Sequence, residues 1–237
     1  MNTHDDTPLT FYLTPPHPCS YLDRNDAQTI FVDPRRLITG RIYQALSDQG
    51  FRRSGSHLYR PHCNNCDACT PIRLPVEKFR PNRTQRRVAK RNSGLRVVIE
   101  PATFNRRFYS LYERYISLRH ADGDMYPASE DQFRTFLLSQ WSATQFMSLY
   151  DGERLLSVAV TDQTDSGLSA VYTFFEPTLE KRSLGVLSIL QQIEWAKSLG
   201  LPYLYLGYWI QGSQKMVYKT SYRPLELFVN RRWIPLN

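Results

Sequence analysis

The second half of the chain has an order of strand and helix patterns that fixes its fold class. "QFMSLY" and "RLLSVAVTDQ" flank Asp151-Gly152, a dipeptide typical of a tight β-hairpin. A further strand pattern at 168–175 is followed by a helical pattern at about 184–199 and a strand pattern at 203–210. A hairpin followed by strand, helix and strand predicts an α/β chain with a mixed sheet.

The first half has weaker patterns. Leu37, Tyr43 and Leu46 have helical spacing within 34–51, whereas the proline-rich residues 1–34 are expected to be irregular. "PIRLPVEKF" (71–79) and "LRVVIEP" (95–101) are strand patterns. Two more helices are predicted by a capping-box pair, Ser129 with Gln132, and by one apolar stripe. The members of that stripe are Phe104, Phe108, Leu111, Tyr115 and Leu118.

The composition of the chain and the regularity of its patterns change near residues 92–103, which suggests a domain boundary there. The residues before it contain every cysteine and a dense basic stretch, whereas those after it have the regular strand and helix patterns. We therefore predict an N-terminal region at 1–92 and a second domain at 93–237. The chain has no internal repeat.

The four cysteines of the chain favour a single metal or cluster site. Cys63, Cys66 and Cys69 follow one another at three-residue intervals, and Cys19 is the remaining one. Thiolates in a C-x2-C-x2-C pattern can face one point, and Cys19 can supply the fourth ligand of a zinc ion or an iron–sulfur cluster. His17, His57 and His62 are close enough in sequence to replace one sulfur at a zinc site. Buried, reduced cysteines without a metal are the alternative, and the spacing alone does not choose between zinc and iron–sulfur.

The positive charge of the chain is concentrated in one segment. The chain has 30 Lys and Arg against 22 Asp and Glu; the segment 80–92 holds six of these cations and no acid, which leaves 24 against 22 elsewhere. On a helix, Arg83, Arg87, Lys90 and Arg91 share one face, where they repel one another unless a polyanion binds. This favours a nucleic acid partner over a merely solvated helix face.

The predicted helix that follows the strand at 168–175 starts with an element suited to phosphate. Arg182 and Gly185 precede or open this helix, where free backbone N–H groups and the helix dipole favour an anion. Gly207 interrupts the next strand and predicts a bulge, which can free a backbone N–H for a carbonyl oxygen. An ordinary helix packed on a core strand is the alternative.

Two polar segments hold further candidate residues. "QGSQKMVYKTSYRP" (211–224) interleaves cations with aromatic rings, as at surfaces that stack a base and hold a phosphate, although lysines beside a buried tyrosine would have the same pattern. "RHADGDMYP" (119–127) is a predicted loop with several titratable groups, in which His120 is an ordinary loop histidine rather than a general base.

Compartment and membrane association follow from what the sequence lacks. No stretch has the roughly 18 apolar residues of a membrane span, and the acidic start "MNTHDDTPLT" does not have the pattern of a secretory signal. We expect a cytoplasmic protein without membrane partners, whose thiols stay reduced rather than form disulfides.

Several of these segments, in this order, resemble one known family. "CSYL", "FVDP", "RTQRRVAKRN", "RHADGDM" and "YLGYWIQGSQKMVYKTSYRPLE" are similar to segments of the bacterial aspartate/glutamate leucyltransferases, relatives of the arginyl-tRNA–protein transferases. The resemblance implies transfer of leucine from leucyl-tRNA to proteins that begin with Asp or Glu, which marks them for degradation. It also implies an acetyltransferase-like (GNAT) fold preceded by the cysteine-containing region, and it suggests an iron–sulfur cluster.

The resemblance also implies roles for individual residues. The tRNA would contact Arg83, Arg86, Arg87, Lys90, Arg91, Arg182 and Gly185. The cleft for the aminoacyl ester would be lined by Tyr172, Tyr208, Lys215, Tyr218 and Lys219. The acidic acceptor would be held by one or more of Arg52, Arg53, Arg73, Arg119 and Tyr126, which the sequence does not rank. Cys19, Cys63, Cys66 and Cys69 would hold the cluster or zinc, which is not needed at the reacting carbon; no general base is assigned.

Two other functions remain open at this point. A CoA-dependent N-acetyltransferase would share the phosphate site at the helix start, but it would leave the basic segment without a role. A non-catalytic RNA-binding module held together by a metal would explain the cysteines and arginines, but not the segment 205–220.

Overall fold

The computed structural model describes residues 8–236 and consists of two β-sheets with five α-helices. The helices are α1 (Gly40–Asp48), α2 (Arg83–Arg91), α3 (Arg106–Arg119), α4 (Glu130–Leu137) and α5 (Leu184–Ser198). The strands are β1 (Phe11–Leu13), β2 (Thr29–Val32), β3 (Arg52–Ser54), β4 (His57–Pro61), β5 (Cys69–Pro75), β6 (Arg96–Pro101), β7 (Ala143–Asp151), β8 (Arg154–Thr164), β9 (Gly167–Phe175), β10 (Tyr203–Ile210), β11 (Leu225–Val229) and β12 (Arg232–Leu236). The α/β class with a mixed sheet is therefore confirmed.

Among the described strands, the large sheet contains one parallel pair, and its other pairs are antiparallel. Its order is β12-β11-β5-β10-β9-β8-β7-β6, and the β9–β10 pair is parallel while the other neighbours are antiparallel. The parallel pair is connected through α5, as parallel strands require a crossover. β9 and β10 pair only over Gly167–Ser169 and Tyr203–Tyr205. Beyond these residues the two strands have no ladder between them.

Helices cover both faces of this sheet, and successive side chains of β8 pack alternately against the helices on one face and on the other. Val158 and Val160 point into a core formed with α3 and α4, whereas Ser157 and Thr161 face α5, where they contact Ser188 and Gln192. Successive side chains of a strand point to opposite faces, so one strand contributes to both cores. The α5 side has its own apolar cluster with β5 and β10.

The small sheet, β1-β2-β4-β3, is formed by the first four strands of the chain that the structure describes. Two of its strands, β1 and β2, fall within residues 1–34, so the expectation of an irregular segment is wrong for them. Short strands between prolines leave little periodic signal, and their pairing partner β4 is distant in sequence. The helix predicted within 34–51 is confirmed as α1, but Leu37 lies outside it and is exposed.

The predicted boundary between residues 92 and 93 does not coincide with the division between the two sheets. β5 lies between β11 and β10 in the large sheet, and α2 packs on α5 through Val88, Leu184 and Leu187. Residues 69–92 are thus built into the second half of the chain. The sequence predicts a strand at 71–79, but its local pattern does not show that this strand lies between β11 and β10 in the large sheet.

Local signals at helix and turn ends are confirmed. Ser129 accepts a hydrogen bond from the backbone N–H of Gln132 at the start of α4. Asn82 and Gln85 form a reciprocal capping box at the start of α2, which the sequence-based predictions do not include. Gly207 has φ of +77°, and the register of β10 against β5 shifts beside it, as the predicted bulge requires. Of the predicted apolar stripe, Phe108, Leu111 and Tyr115 are buried on α3, whereas Phe104 precedes the helix and Leu118 is 64% exposed.

Candidate active site

The candidate site is the cleft that opens where β9 and β10 separate. Arg52 lies at its closed end, where its Nη1 donates to Ser169 Oγ (2.9 Å) and to the Tyr205 carbonyl (3.4 Å). Its Nη2 donates to the Ala170 carbonyl. The guanidinium therefore joins both strands just beyond the last residues of their ladder.

A second cation, Lys219, is buried near Arg52. It belongs to the 3₁₀ helix Gln214–Ser221, and its Nζ donates to the Tyr208 carbonyl at 2.7 Å. Burial, and then the charge of Arg52, lower the pKa of Lys219 to about 7. The ammonium is therefore destabilised in the folded protein, and a useful fraction of neutral amine exists near neutral pH.

Aromatic side chains form the wall of the cleft along β9. Tyr172 packs between Tyr115 of α3, at 6.4 Å between ring centroids, and Phe136, at 5.2 Å. Its hydroxyl is buried and has no hydrogen-bond partner among the described atoms. Burial raises the pKa of this phenol well above its ordinary value, so the hydroxyl stays protonated and is available as a donor. Tyr218 of the 3₁₀ helix is half-exposed and close enough to Arg52 and Tyr115 to interact with both electrostatically.

At the other end of β9, the start of α5 meets the basic helix. Arg91 donates to the Lys181 carbonyl, and Asn92 Nδ2 donates to the Arg182 carbonyl at 2.9 Å. The two segments that the sequence assigned to tRNA are thus neighbours. Arg182 pairs with Asp151 through Nη2 (2.9 Å), while its buried Nη1 has no acceptor in the described structure.

Space at the start of α5 is provided by a glycine. A Cβ at Gly185 would lie 3.2 Å from the Phe175 ring, so a side chain there would press on the end of β9. α5 begins after Ser183, whose side chain makes no capping hydrogen bond. The first backbone N–H groups of this helix therefore have no side-chain cap at Ser183.

The basic face of α2 is exposed, as predicted. Arg83, Arg86, Arg87, Lys90 and Arg91 are all on the surface. Arg86 donates to the Pro81 carbonyl at 2.5 Å, and Arg91 is held against the start of α5. Val88 and Gln85 are the buried residues of this helix and fix its orientation.

Several residues predicted to contact substrates have internal partners instead. Arg53 is fully buried and paired with Asp162, from Nε at 2.6 Å and from Nη2 at 2.9 Å, so it does not reach the cleft. Arg73 pairs with Glu226 at 2.7 Å and stacks on Tyr203 in the large sheet. These arginines stabilise the fold, and the prediction that they bind the acceptor is not supported by their placement.

The remaining predicted residues lie at the edges of the cleft or outside it. The buried Tyr208 hydroxyl contacts the Gly50 carbonyl (2.9 Å) and the Tyr59 carbonyl of β4 (3.3 Å), so this side chain connects the large sheet to the small one. Arg119 lies over the Phe175 ring with a long contact of 3.8 Å to Glu180, and Tyr126 is exposed in the loop between α3 and α4. Lys215 is in the 3₁₀ helix, and its side chain lies outside the described part.

The four cysteines come together as predicted. All of them line one small cavity of about 50 Å³, and Cys63 and Cys66 face each other across a tight turn. Burial, and then the neighbouring thiols, raise the pKa of Cys69 to about 12. The Gln28 backbone N–H lies 3.4 Å from the Cys63 sulfur. Within residues 8–236, however, no three His, Cys, Asp or Glu side chains have the arrangement of a metal site.

Sequence reasoning missed two contributors to this site. Tyr115 was assigned to the apolar stripe of α3, because a tyrosine at helical spacing has the same pattern as a core residue. Ser169 gave no signal, since its role as an acceptor for Arg52 depends on a contact 117 residues apart. Only the strand separation shows that both belong to the cleft.

The comparisons with known proteins agree with this architecture. The model of the arginine-tRNA-protein transferase N terminus matches residues 17–87, and the model of its C terminus matches residues 107–229. The chain belongs to the arginine-tRNA-protein transferase family.

Similar proteins cover nearly the whole chain. A protein of Teredinibacter turnerae named aspartate/glutamate leucyltransferase is 53% identical over 97% of this chain and 95% of its own length. A protein of Pseudomonas aeruginosa with the same name is 55% identical over 96% of this chain and 97% of its own length.

Solved structures with a similar fold have little sequence identity. The C-terminal DUF2156 domain of a proposed lysylphosphatidylglycerol synthetase from Agrobacterium fabrum has a TM-score of 0.52 at 10% identity, and the match covers 95% of this chain and 82% of that one. The structure of L-PGS from Bacillus licheniformis has a TM-score of 0.51 at 12% identity, over 82% of this chain and 62% of that one. At such identity these structures indicate a shared fold only. Among the helices of residues 8–236, none has the length and apolar character to cross a membrane.

Proposed function

We propose that this protein transfers leucine from leucyl-tRNA to the α-amino group of proteins that begin with aspartate or glutamate, and so marks them for degradation. The observation that carries the proposal is the identity of more than half of the residues with named aspartate/glutamate leucyltransferases, over at least 95% of both chains. The cleft described above has the groups that this reaction needs.

The tRNA acceptor end is proposed to bind where α2 meets the start of α5. Arg83, Arg87 and Lys90 present exposed positive charge there, and Arg182 with the free N–H groups of α5 adds a second anion site beside it. The terminal nucleotides would then lead along β9 toward Tyr172. In α/β sheets, ligands bind beyond the carboxyl ends of parallel strands, and β9 and β10 are such a pair. Because β9 and β10 form such a parallel pair, we also propose that the fold is GNAT-like.

The chemistry needs positioning more than activation. The amine nitrogen of the acceptor attacks the ester carbonyl carbon, the C–N bond forms, and the bond to the 3′ oxygen of the tRNA breaks. The α-amine has an ordinary pKa of about 7.7–8, so part of it is neutral at pH 7. Alignment of the two reactants can contribute on the order of 7–11 kcal/mol. The Tyr172 hydroxyl and the bulge at Gly207 are the groups we propose to polarise the carbonyl.

Proton transfer is assigned to Lys219. Its amine is partly neutral near pH 7, so it can accept the proton that the attacking amine loses. The same proton then returns to the 3′ oxygen as it leaves, which balances the reaction. No metal participates in these steps.

The four cysteines are proposed to bind zinc or an iron–sulfur cluster that cross-links the N-terminal region and so stabilises it. The chemistry of the donors supports this proposal, because four thiols share one cavity and a backbone N–H points at the Cys63 sulfur. Among the described side chains no three yet have the arrangement of a metal site, so the thiols would have to turn toward one point to bind the group. A positively charged zinc ion or iron centre bound by the four thiolates would offset the repulsion between their negative charges. Metal analysis and ultraviolet–visible absorption of anaerobically purified protein test this part.

The transfer itself is tested with labelled leucyl-tRNA and three peptides that begin with Asp, Glu and Ala. We expect label on the Asp and Glu peptides and none on the Ala peptide. The matched control is the Asp peptide with its α-amine acetylated, which has the same carboxylate but no nucleophile and should stay unlabelled. Transfer from labelled acetyl-CoA in place of leucyl-tRNA would contradict the proposal.

A further inference from the structure

Two buried cations of this protein have no carboxylate partner among the described side chains. Arg52 is 9% exposed and Lys219 is 8% exposed, and their hydrogen bonds all go to neutral oxygens. The other buried charges are compensated, since Arg53 pairs with Asp162 and Glu176 pairs with surface arginines. An uncompensated pair of buried like charges is costly, and such an arrangement persists where an anion is to be bound.

The guanidinium of Arg52 keeps one edge free for such an anion. Nη1 uses both of its protons on Ser169 and Tyr205, and Nη2 uses one on Ala170, while Nε–H has no acceptor among the described atoms. Nε and Nη2 form the edge with which Arg53 holds the two oxygens of Asp162. The same edge of Arg52 is therefore suited to a carboxylate in the forked geometry.

A glycine keeps the space next to this edge open. A Cβ at Gly207 would lie 3.4 Å from Arg52 Nε and 3.5 Å from Nη2. Any side chain at this position would therefore extend over the guanidinium. The bulge of β10 thus leaves the free edge of Arg52 accessible from the cleft.

The position of Arg52 favours a carboxylate over a tRNA phosphate. Arg52 binds Ala170, whereas the start of α5 lies near Phe175, five residues farther along β9. Five strand residues span about 16 Å. The aromatic wall with Tyr172 lies between the two places, which leaves room for the aminoacyl ester between a phosphate at one end and a second anion at the other.

We propose that Arg52 binds the side-chain carboxylate of the acceptor's N-terminal Asp or Glu and thereby selects acidic acceptors. The inference rests on the proposed leucine transfer and assigns its acceptor specificity to the free edge of this guanidinium.

The variant Arg52→Gln tests the inference with leucyl-tRNA and four peptides that begin with Asp, Glu, Asn and Gln. We expect kcat/KM for the Asp peptide to fall about 100-fold, mainly through KM, because a forked charged contact is lost. The preference for Asp over Asn should fall toward one, and the KM for leucyl-tRNA should stay within about threefold. Arg41→Gln, which removes an exposed cation from α1, is the matched control and should leave all values unchanged.

Two results would overturn the inference. If Arg52→Gln raises the KM for leucyl-tRNA and retains the preference for Asp over Asn, the guanidinium holds a phosphate of the donor. If neither the preference nor either KM changes, Arg52 has only a structural role. Should the glutamine variant unfold, Arg52→Lys keeps the charge without the fork, and we expect about a tenfold higher KM for the Asp peptide with leucyl-tRNA binding retained.

Direct binding separates failure of this inference from failure of the proposed function. Fluorescence anisotropy compares labelled Asp and Asn peptides on the wild type and on Arg52→Gln without any transfer. If the wild type transfers no leucine but prefers the Asp peptide through Arg52, only the proposed reaction fails. Equal binding of both peptides by an active wild type overturns the inference alone.

Discussion

Arg52 and Arg53 are consecutive residues of β3, both buried, yet their surroundings differ completely. Arg53 is closed off with Asp162, and that carboxylate also accepts from Thr144 (2.6 Å) and Tyr43 (2.7 Å). Arg52 is bound only by neutral oxygens and faces the cleft between β9 and β10. A buried arginine with a complete set of partners stabilises a fold, whereas one without a counter-charge is kept at the expense of stability and indicates a ligand.

The electrostatics of the two arginines differ in the same way. Burial alone would raise the pKa of Asp162, but the charge and hydrogen bonds of Arg53 lower it below its ordinary value. Near Arg52 there is no such carboxylate, and burial, followed by the charge of Arg52, lowers the pKa of Lys219. The Arg53 site therefore contains an ion pair, whereas the Arg52 site contains positive charge without a carboxylate partner among the described side chains.

The largest expected effect is on the stability of the Arg53 site. Asp162→Ala leaves the Arg53 guanidinium buried and unpaired, so the free energy of unfolding should fall by about 3–5 kcal/mol. Denaturant unfolding measures it. Arg52→Met is the matched comparison, because it removes a charge that has no carboxylate partner, and it should cost less than about 2 kcal/mol. Equal losses in both variants would remove the distinction between the two sites.

A smaller effect is expected from the pH dependence of stability. Because folding lowers the pKa of Lys219 from 10.5 to about 7, the unfolded chain binds more protons between these values, and stability should rise with pH there. The contribution is at most about 1.4 kcal/mol per pH unit. Between pH 7 and 8.5, the wild type should gain stability relative to Lys219→Met in denaturant unfolding.

The upper limit of this window matters because other groups act in the opposite direction. Cys69 and Tyr115 have pKa values raised to about 12, so above pH 9–10 the folded protein binds more protons at these groups and stability falls. If the wild type and Lys219→Met have parallel stability curves from pH 7 to 8.5, the amine of Lys219 has an ordinary pKa. Its assignment as proton acceptor would then be withdrawn.

The sequence predicts the local elements of this molecule better than their assembly. The cap at Ser129, the bulge at Gly207 and the hairpin at Gly152 depend on neighbouring residues, and all are found. The place of β5 in the large sheet depends on strands more than 120 residues away, and no local pattern encodes it.

The same limit explains the candidate site. The sequence named Arg52, Arg53 and Arg73 as equal candidates for the acceptor, because one arginine resembles another until its partners are known. Asp162 and Glu226 take two of them out of consideration, and both lie more than 100 residues from their arginines. The role of an ionisable residue is therefore set by tertiary pairing. The similarity of motifs indicates the reaction, but only the fold shows which of the candidate arginines is free to bind the acceptor.

The smallest effect per residue is expected at the exposed cations of α2, which form a third class beside the paired and unpaired buried arginines. Arg83, Arg87 and Lys90 are fully accessible to salt, so each should contribute through release of counterions from the tRNA. Replacement of each by Ala should reduce the slope of log affinity against log salt by about 0.7–0.9, without changing the preference for Asp over Asn peptides. Filter binding of leucyl-tRNA at several salt concentrations measures the slope, with Arg41→Ala on α1 as the control cation. An unchanged slope in the triple variant would mean that the tRNA does not lie on α2, and the buried cations of the cleft would then have to bind it.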